Sequence, residues 1–152
     1  MSELAKRLIV FVLAMFPVIE LRGAIPLGLE WGLGFTETML LSLGGNLLII
    51  PFIVLLFNKI LVVMRKIKPT AKLADWLEKR AEKNSSKIEN LIFVGLMLFV
   101  AIPLPGTGAW TASMVAGLMK IKLFRAMIPI VLGVIVAAAI VTGVYMGFKI
   151  II

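Results

Sequence analysis

Two short polar stretches interrupt the apolar segments of this 152-residue chain, and they constrain its fold more than any other feature. The first break covers residues 17–23 (Pro-Val-Ile-Glu-Leu-Arg-Gly), and the second covers 103–108 (Pro-Leu-Pro-Gly-Thr-Gly). The apolar arms that flank each break are too short to cross a hydrocarbon core of about 30 Å as helices. Because lipid cannot pair bare backbone N–H and C=O groups, each break must be buried in protein or face a wet cavity.

Composition places the chain in a membrane as a single domain. Hydrophobic residues make up 61% of it and charged residues only 16%, whereas soluble domains are about half apolar and a quarter charged. The net charge of +8 fits the excess of Lys and Arg in cytoplasmic loops. It does not indicate nucleic-acid binding, because the chain has no soluble basic face to present.

Several chemistries are excluded by residue type. The chain has no Cys and no His, so it lacks thiol nucleophiles, disulfides and the commonest metal ligand. No Walker loop, nucleotide fingerprint or nucleophile triad is present. We therefore expect no enzyme activity, no metal and no cofactor, and any proton-linked step must use a carboxylate.

The two halves of the chain repeat one order of segments: a short arm, a break, a second short arm, a turn and a full span. Aligning Gly23 with Gly108 also brings Gly32 onto Gly117. This predicts an all-α integral membrane fold with two inverted repeats, each a re-entrant (broken) helical hairpin followed by a transmembrane helix. Repeat 1 (1–58) contains a hairpin at 4–33 and a transmembrane helix at 37–58; repeat 2 (91–148) contains a hairpin at 91–119 and a transmembrane helix at 125–148.

A basic linker, residues 59–90, joins the two repeats. Nine of its residues are Lys or Arg and four are Asp or Glu, so we expect it to face the cytoplasm. Apolar residues at helical spacing predict an amphipathic helix over 70–83 that lies on the inner membrane surface. The alternative is that this helix docks a partner protein.

Charge also bears on the orientation of the hairpins. A re-entrant second hairpin returns Lys120, Lys122 and Arg125 to the cytoplasmic side, as the distribution of positive charge favours. The repeat predicts a first hairpin that enters from outside, with the N-terminus outside. Lys6 and Arg7 favour a continuous broken crossing with the N-terminus inside, and both alternatives stay open.

Glu20 and Arg22 lie in the first break, within an apolar region. Charged groups at membrane depth are costly and commonly mark substrate pathways or proton relays. Glu20 is the candidate proton carrier, and the planar donor fork of Arg22 suits a phosphate or carboxylate. The alternatives are a structural ion pair between them, or capping of backbone carbonyls by Arg22.

The second break is rich in proline and glycine, which change its backbone hydrogen-bond donors and its backbone angles. Its prolines remove N–H donors and its glycines allow unusual backbone angles, so its tip can bind an anion through amides at the start of the next segment. A tight structural turn is the alternative. For Asn46, a hydrogen bond to a neighbouring helix is favoured over a substrate contact. The candidate pathway residues are Glu20, Arg22, Gly23, Pro103, Pro105, Gly106, Thr107, Gly108 and Asn46.

Residues 17–28 and 103–110 together resemble the small multidrug export protein family, and the likeness covers nearly the whole chain. That family is similar to the DedA, or VTT, membrane proteins, in which two re-entrant hairpins face each other. The resemblance implies a multi-pass protein of a prokaryotic plasma membrane, with Glu20 and Arg22 in one hairpin tip and 103–108 in the other. The chain departs from the DedA pattern because its acid and its Pro-x-Pro-Gly string stand in different breaks, and Arg125 is only a loose match to the downstream arginine motif.

These observations support three hypotheses. The first is a transporter or flippase for an amphipathic anion, such as a lipid phosphate, coupled to protons through Glu20. The second is a proton-coupled exporter of cationic drugs, and the third is a non-transporting membrane scaffold that uses 70–83. Membrane lipids are the expected partners, and because one chain encloses little volume, a homodimer is expected.

Overall fold

The computed structural model describes residues 1–67, 71–73, 75–76, 79, 86–104 and 106–151. Within these residues the chain is all-helical and contains no strand, which confirms the predicted class. Residues 71–73, 75–76 and 79 have helical backbone, but most of the amphipathic helix predicted at 70–83 lies outside the described residues. The helices with described bounds are α1 (Glu3–Met15), α2 (Glu20–Glu30), α3 (Phe35–Lys66), α4 (Ser86–Ala101), α5 (Ala109–Leu118) and α6 (Leu123–Ile151).

Helices α3 and α6 are long and apolar enough to cross a membrane, over Phe35–Met64 and Leu123–Ile151. Their outward faces carry large exposed apolar side chains, including Phe52 on α3 and Ile128 on α6. Helix α3 begins two residues before the predicted 37, follows Gly34 without a side-chain cap and continues past 58 to Lys66. The helix extends beyond the predicted apolar span because its backbone hydrogen bonds do not require apolar side chains.

The first break separates two helices that form a hairpin. Helix α1 ends at Met15 because Phe16 is extended, as expected for a residue that precedes a proline. The chain turns over 16–19 and re-enters a helix at Glu20. Lys6 Nζ donates a hydrogen bond of 2.9 Å to the carbonyl of Trp31, so the start of α1 lies beside the end of α2 and the two helices run antiparallel.

At the second break the non-helical segment covers 102–108, which is longer than the 16–19 turn of the first break, and the two flanking helices are held apart. Helix α4 packs along α6, while α5 packs along α3. Glycines permit both approaches: a Cβ at Gly133 would come within 2.6 Å of the Met97 carbonyl, and one at Gly117 within 2.6 Å of the Val54 carbonyl. These contacts place the end of α5 beside the second half of α3.

Helices α2 and α5 end in matching turns. Each closes with the paired hydrogen bonds of a Schellman motif, in which the residue at the C′ position is left-handed. That residue is Gly32 (φ 79°) after α2 and Lys120 (φ 53°) after α5. The donors and acceptors are Gly32 N to Leu29 O and Leu33 N to Gly28 O in the first turn, and Lys120 N to Gly117 O and Ile121 N to Ala116 O in the second.

The two turns match Lys120, and not Gly117, with Gly32. This position differs by three residues from the one given by aligning Gly23 with Gly108. The two glycines matched by sequence have different structural causes. Gly32 provides a positive φ and Gly117 provides close helix packing, so their shared identity carried no register information.

Helices α3 and α6 run antiparallel. At one end of the fold, here called the terminal end, Lys149 Nζ of α6 lies 3.4 Å from Glu30 Oε1, close to where α3 begins. At the other, the linker end, Gly117 and the turn that leads into α6 lie beside the second half of α3. The buried core between them is apolar, with Ile50, Val54, Ile130 and Val134 among its residues.

Candidate functional site

The two breaks contact each other and border a half-open cavity of about 450 Å³. Residues 78 to 90 positions apart in the sequence are joined here by hydrogen bonds. The cavity thus collects polar groups from both halves of the chain at one place. It is lined by Pro17, Val18, Glu20, Arg22, Pro103, Leu104, Gly106, Gly108 and Thr111.

Glu20 caps a helix that belongs to the other half of the chain. Its side chain is only 4% exposed, and Oε1 accepts a hydrogen bond of 3.1 Å from the backbone N–H of Trp110. Helix α5 has no side-chain cap of its own, because Gly108 stands at its N-cap. A carboxylate at this position pairs an otherwise unpaired N–H and interacts favourably with the positive end of the helix dipole.

Backbone geometry at Glu20 and Gly108 allows the Glu20 side chain to reach the N-terminus of α5. Glu20 has a φ of 49°, a left-handed conformation that costs a non-glycine residue of order 1–3 kcal/mol and persists only where its surroundings impose it. Gly108 is buried, and a Cβ added to it would collide with the Glu20 carboxylate. Gly108 is therefore required by the close approach of Glu20 rather than by its own backbone angles.

Arg22 caps the C-terminus of α4. Its guanidinium donates to the carbonyls of Leu104 and Thr107, and more weakly to those of Ile102 at 3.3 Å and Val100 at 3.4 Å. A cation at the end of α4 pairs carbonyls that lack helical partners and complements the dipole. This is the carbonyl capping that remained an alternative in the sequence.

Thr107 closes the second break on itself. Its hydroxyl donates to the carbonyl of Ile102 at 2.7 Å and accepts from the N–H of Leu104 at 3.2 Å. The segment that Arg22 holds is thus a compact turn, and it keeps the carbonyls of the break directed at the guanidinium.

Trp110 is the site residue that sequence reasoning missed. Its indole Nε1 donates a hydrogen bond of 2.8 Å to the carbonyl of Met15, at the C-terminus of α1. A partly buried indole N–H generally needs such a partner, and the position of Trp110 directly after the Gly-rich break was the available signal. Trp110 follows Arg22 by the same 88 positions that separate Lys120 from Gly32, and each of the two caps a helix of the opposite half.

The remaining predicted residues divide between the cavity and its surroundings. Gly23 is absent from the lining, and a Cβ on it would meet Ile19 Cγ2 at 2.6 Å. Asn46 is fully buried on α3 and donates a hydrogen bond of 3.2 Å to the Ala14 carbonyl, the contact with a neighbouring helix that its sequence position favoured. Pro105 lies outside the described residues. The cavity also takes in Pro17, Val18, Leu104 and Thr111.

Ion pairs gather at the terminal end, away from the cavity. Lys6 pairs with Glu3 at 2.8 Å, and Arg7 pairs with Glu37 at 2.5 Å. A hydrogen bond from the Tyr145 hydroxyl, together with Lys149, lowers the pKa of exposed Glu30 below its ordinary value. Among the described residues, no three His, Cys, Asp or Glu side chains are grouped as a metal site would require.

A family model described as "Putative small multi-drug export protein" matches residues 20–140. The match begins at Glu20 and includes the capping residues Arg22 and Trp110 and the whole second break. The chain belongs to this family. Together with the apolar helices α3 and α6, membership places it among membrane proteins of the export class.

Comparison with curated proteins and with solved structures gave no match. The relation to DedA proteins therefore stays a prediction from the quoted residues.

Proposed function

We propose that the protein transports an amphipathic anion, with a lipid phosphate as the expected substrate, and couples this movement to protons through Glu20. One observation carries the proposal: inside the cavity, the N-terminus of α5 already binds a carboxyl group, that of Glu20. A helix N-terminus binds phosphate and carboxylate by the same means, exposed N–H groups and the helix dipole.

Proton coupling follows from competition for this position. While Glu20 is ionised, its carboxylate occupies the α5 amides and excludes a second anion by charge and by volume. Protonation removes the charge that the helix end favours, so the carboxyl group can leave and a substrate phosphate can take its place beside Arg22. Substrate and proton then enter together, and release of the proton returns Glu20 to its capping position.

The lining of the cavity favours an amphipathic substrate over an inorganic ion. Charged and backbone groups stand beside the apolar side chains of Pro17, Val18 and Leu104. Val18 is 93% exposed and Leu104 is 55% exposed, so the polar site opens next to a surface that lipid chains can contact. A head group would bind within the cavity while its chain remains in the bilayer.

Helix lengths support placing both breaks inside the membrane as re-entrant hairpins. The 13 residues of α1 extend about 20 Å, which is short of a core of about 30 Å. The first break follows Ala14, which lies beside Asn46 well inside α3, and the second follows Val100, which lies beside Gly133 well inside α6. Because α3 and α6 are antiparallel, the hairpins would enter from opposite ends of the fold, as an inverted repeat requires.

Charge orients this arrangement. The basic linker 59–90 begins within the last two turns of α3, and Lys120 and Lys122 lie at the same linker end, so we assign that end to the cytoplasm. The terminal end, including the N-terminus, is then outside. Lys6 and Arg7 have acidic partners there, which reduces their cost on the outer side. We extend the proposal to a multi-pass homodimer in the plasma membrane of a prokaryote.

Export of cationic drugs is the second candidate, and the family description favours it. Glu20 would exchange a proton for a cation in the same cavity. The neighbouring guanidinium of Arg22 opposes this, because a cationic substrate would be repelled by it. We therefore rank anion transport first.

The test is head-group movement in liposomes that contain the purified protein and a fluorescent short-chain lipid phosphate. With a proton gradient imposed, we expect transfer between leaflets that falls at least tenfold in Glu20→Gln. Glu37→Gln serves as the matched control, since Glu37 is a carboxylate outside the cavity, and it should retain transfer.

The alternatives predict different results in the same liposomes. Proton flux stimulated by cationic dyes, without lipid transfer, would establish the drug exporter instead. Neither lipid transfer nor proton flux in the liposomes, together with a cellular function that is lost on deleting 70–83 but kept in Glu20→Gln, would indicate the scaffold.

A further inference from the structure

The face of α3 that packs against the first hairpin carries a row of buried polar side chains. Thr38, Ser42 and Asn46 are each fully buried and stand one helical turn apart, so they share one face. Thr38 Oγ1, Ser42 Oγ and Asn46 Oδ1 have no hydrogen-bond partner. Within the described part of the chain, these are the buried side-chain polar atoms left unpaired, and all belong to this row.

Three unpaired buried polar atoms on one helix face indicate a bound ligand. An unpaired buried polar atom costs free energy, and native structures leave few of them. Three in line on one helix face indicate that a common guest pairs them. The row is polar over about 12 Å, from Thr38 to Asn46, and then ends: the next residue on the same face is Ile50, which is fully buried and apolar.

The chemistry of the row identifies water as that guest. The three side chains are neutral hydroxyl and amide groups, and no carboxylate stands among them to offset the cost of burying a metal cation. Side chains one turn apart are separated by about 5–6 Å, a gap that a single bridging water spans. Water also needs two or more polar partners to remain in a protein interior, and the row supplies them in sequence.

The row extends between two groups of contacts. Thr38 directly follows Glu37, whose ion pair with Arg7 lies at the terminal end. At the other extreme, Asn46 donates to the carbonyl of Ala14, and the adjacent carbonyl of Met15 accepts from Trp110. Trp110 is also the residue whose backbone N–H binds Glu20. The row therefore leads from the terminal end to the helix break.

We propose that Thr38, Ser42 and Asn46 form a hydrated row, in which single waters connect the terminal end of the fold to the break that holds Glu20. Its use as a proton supply rests on the proposed function, whereas its hydration does not. The apolar continuation at Ile50 closes the row toward the linker end, so water reaches the break from one side only.

Cysteine labelling tests the hydration directly, because the chain contains no native Cys. We would introduce Thr38→Cys, Ser42→Cys and, as the matched dry control, Ile50→Cys, and treat the full-length proteins in liposomes with 2-aminoethyl methanethiosulfonate. Ser42→Cys is nearly isosteric and carries the test if another variant folds poorly. We expect Thr38→Cys and Ser42→Cys to react at least tenfold faster than Ile50→Cys. Reaction of Ser42→Cys as slow as that of the control overturns the proposal.

Thermal unfolding provides a second measurement. In a dry row, Thr38→Val and Ser42→Ala remove unpaired hydroxyl groups, and the Tm should rise. In a hydrated row these hydroxyl groups are paired by water, and the Tm should not rise; an increase in both variants overturns the proposal.

The labelling result is independent of transport. Glu20→Gln should leave the labelling of Ser42→Cys unchanged even where it abolishes lipid movement. If the row reacts with the reagent but the protein moves no substrate, the proposed function is rejected and the hydrated row is retained. If the row does not react but the protein transports lipid, the hydrated row is rejected and the proposed function is retained.

Discussion

At both breaks, helix ends lack hydrogen-bond partners within their own helices, and different residues supply those partners. The non-helical part of the first is short (16–19) and this break supplies charged side chains, Glu20 and Arg22, while that of the second is longer (102–108) and supplies backbone groups, with the indole of Trp110 just after it. Each break leaves helix ends unpaired, and each is completed by the other. Arg22 of the first half caps α4, and Trp110 of the second half caps α1.

The difference between them indicates a division of roles. A carboxylate and a guanidinium change their interactions with protonation or with a charged ligand, whereas backbone carbonyls and an indole do not. The first break therefore carries the groups that can respond to a proton or an anion, and the second provides the fixed frame that they bind. Without this exchange of caps, the helix ends at both breaks would remain unpaired, which lipid cannot compensate.

Loss of the Arg22 cap should have the largest effect. Arg22→Gln removes charge-assisted hydrogen bonds to several carbonyls and should destabilise the protein by about 3 kcal/mol, measured by thermal unfolding in detergent. Arg22→Lys keeps the charge but not the fork, so we expect a smaller loss. Arg7→Gln is the control, because Arg7 forms an exposed ion pair worth about 0–1 kcal/mol. Equal stability of the Arg22 and Arg7 variants would show that the cap contributes little.

Gly108→Ala should disturb the contact between the breaks next most strongly. The added methyl group collides with the Glu20 carboxylate, and overpacking of this kind costs about 1–3 kcal/mol. Since the clash needs both partners, Glu20→Ala should absorb much of the loss in a double-mutant cycle. Gly34→Ala is the control, since a Cβ there meets no atom within 4 Å. Additive losses would mean that Glu20 does not occupy the α5 N-terminus.

The indole cap is expected to contribute less than the charged one. Trp110→Phe removes the hydrogen bond to Met15 while keeping an aromatic ring, and should cost about 1 kcal/mol. Trp31→Phe is a suitable reference, because the Trp31 indole N–H makes no hydrogen bond within the described residues. A Trp110→Phe loss as large as that of Arg22→Gln would contradict the division of roles between the breaks.

The smallest effect concerns the terminal end, where the two halves also meet. Tyr145→Phe removes the main cause of the lowered Glu30 pKa, so that pKa should move up toward its ordinary value of 4.5. A lowered folded-state pKa stabilises the protein above the ordinary value, and this contribution is lost as pH falls through the folded-state pKa. Carboxyl NMR titration measures the shift, and the Glu3 carboxyl, which pairs with Lys6, should not move.

Much of the fold could be predicted because its causes are local. Apolar segments of limited length predict helices, and Pro17 and Pro103 interrupt them because proline and its preceding residue resist helical geometry. Charges placed inside an apolar region mark a site wherever they come to lie. The repeat order was also visible, but its register was not, since Gly32 and Gly117 serve different purposes.

From the sequence alone follow the helical class, the two breaks and the presence of an acid and a base inside an apolar chain, since each depends on residue type and near neighbours. Only the tertiary structure decided which helix end each polar group caps. Arg22 reaches a carbonyl 82 positions away, and Trp110 reaches one 95 positions away. Such pairings depend on how the two halves pack, because a capping group acts on whichever helix end is brought within hydrogen-bond distance.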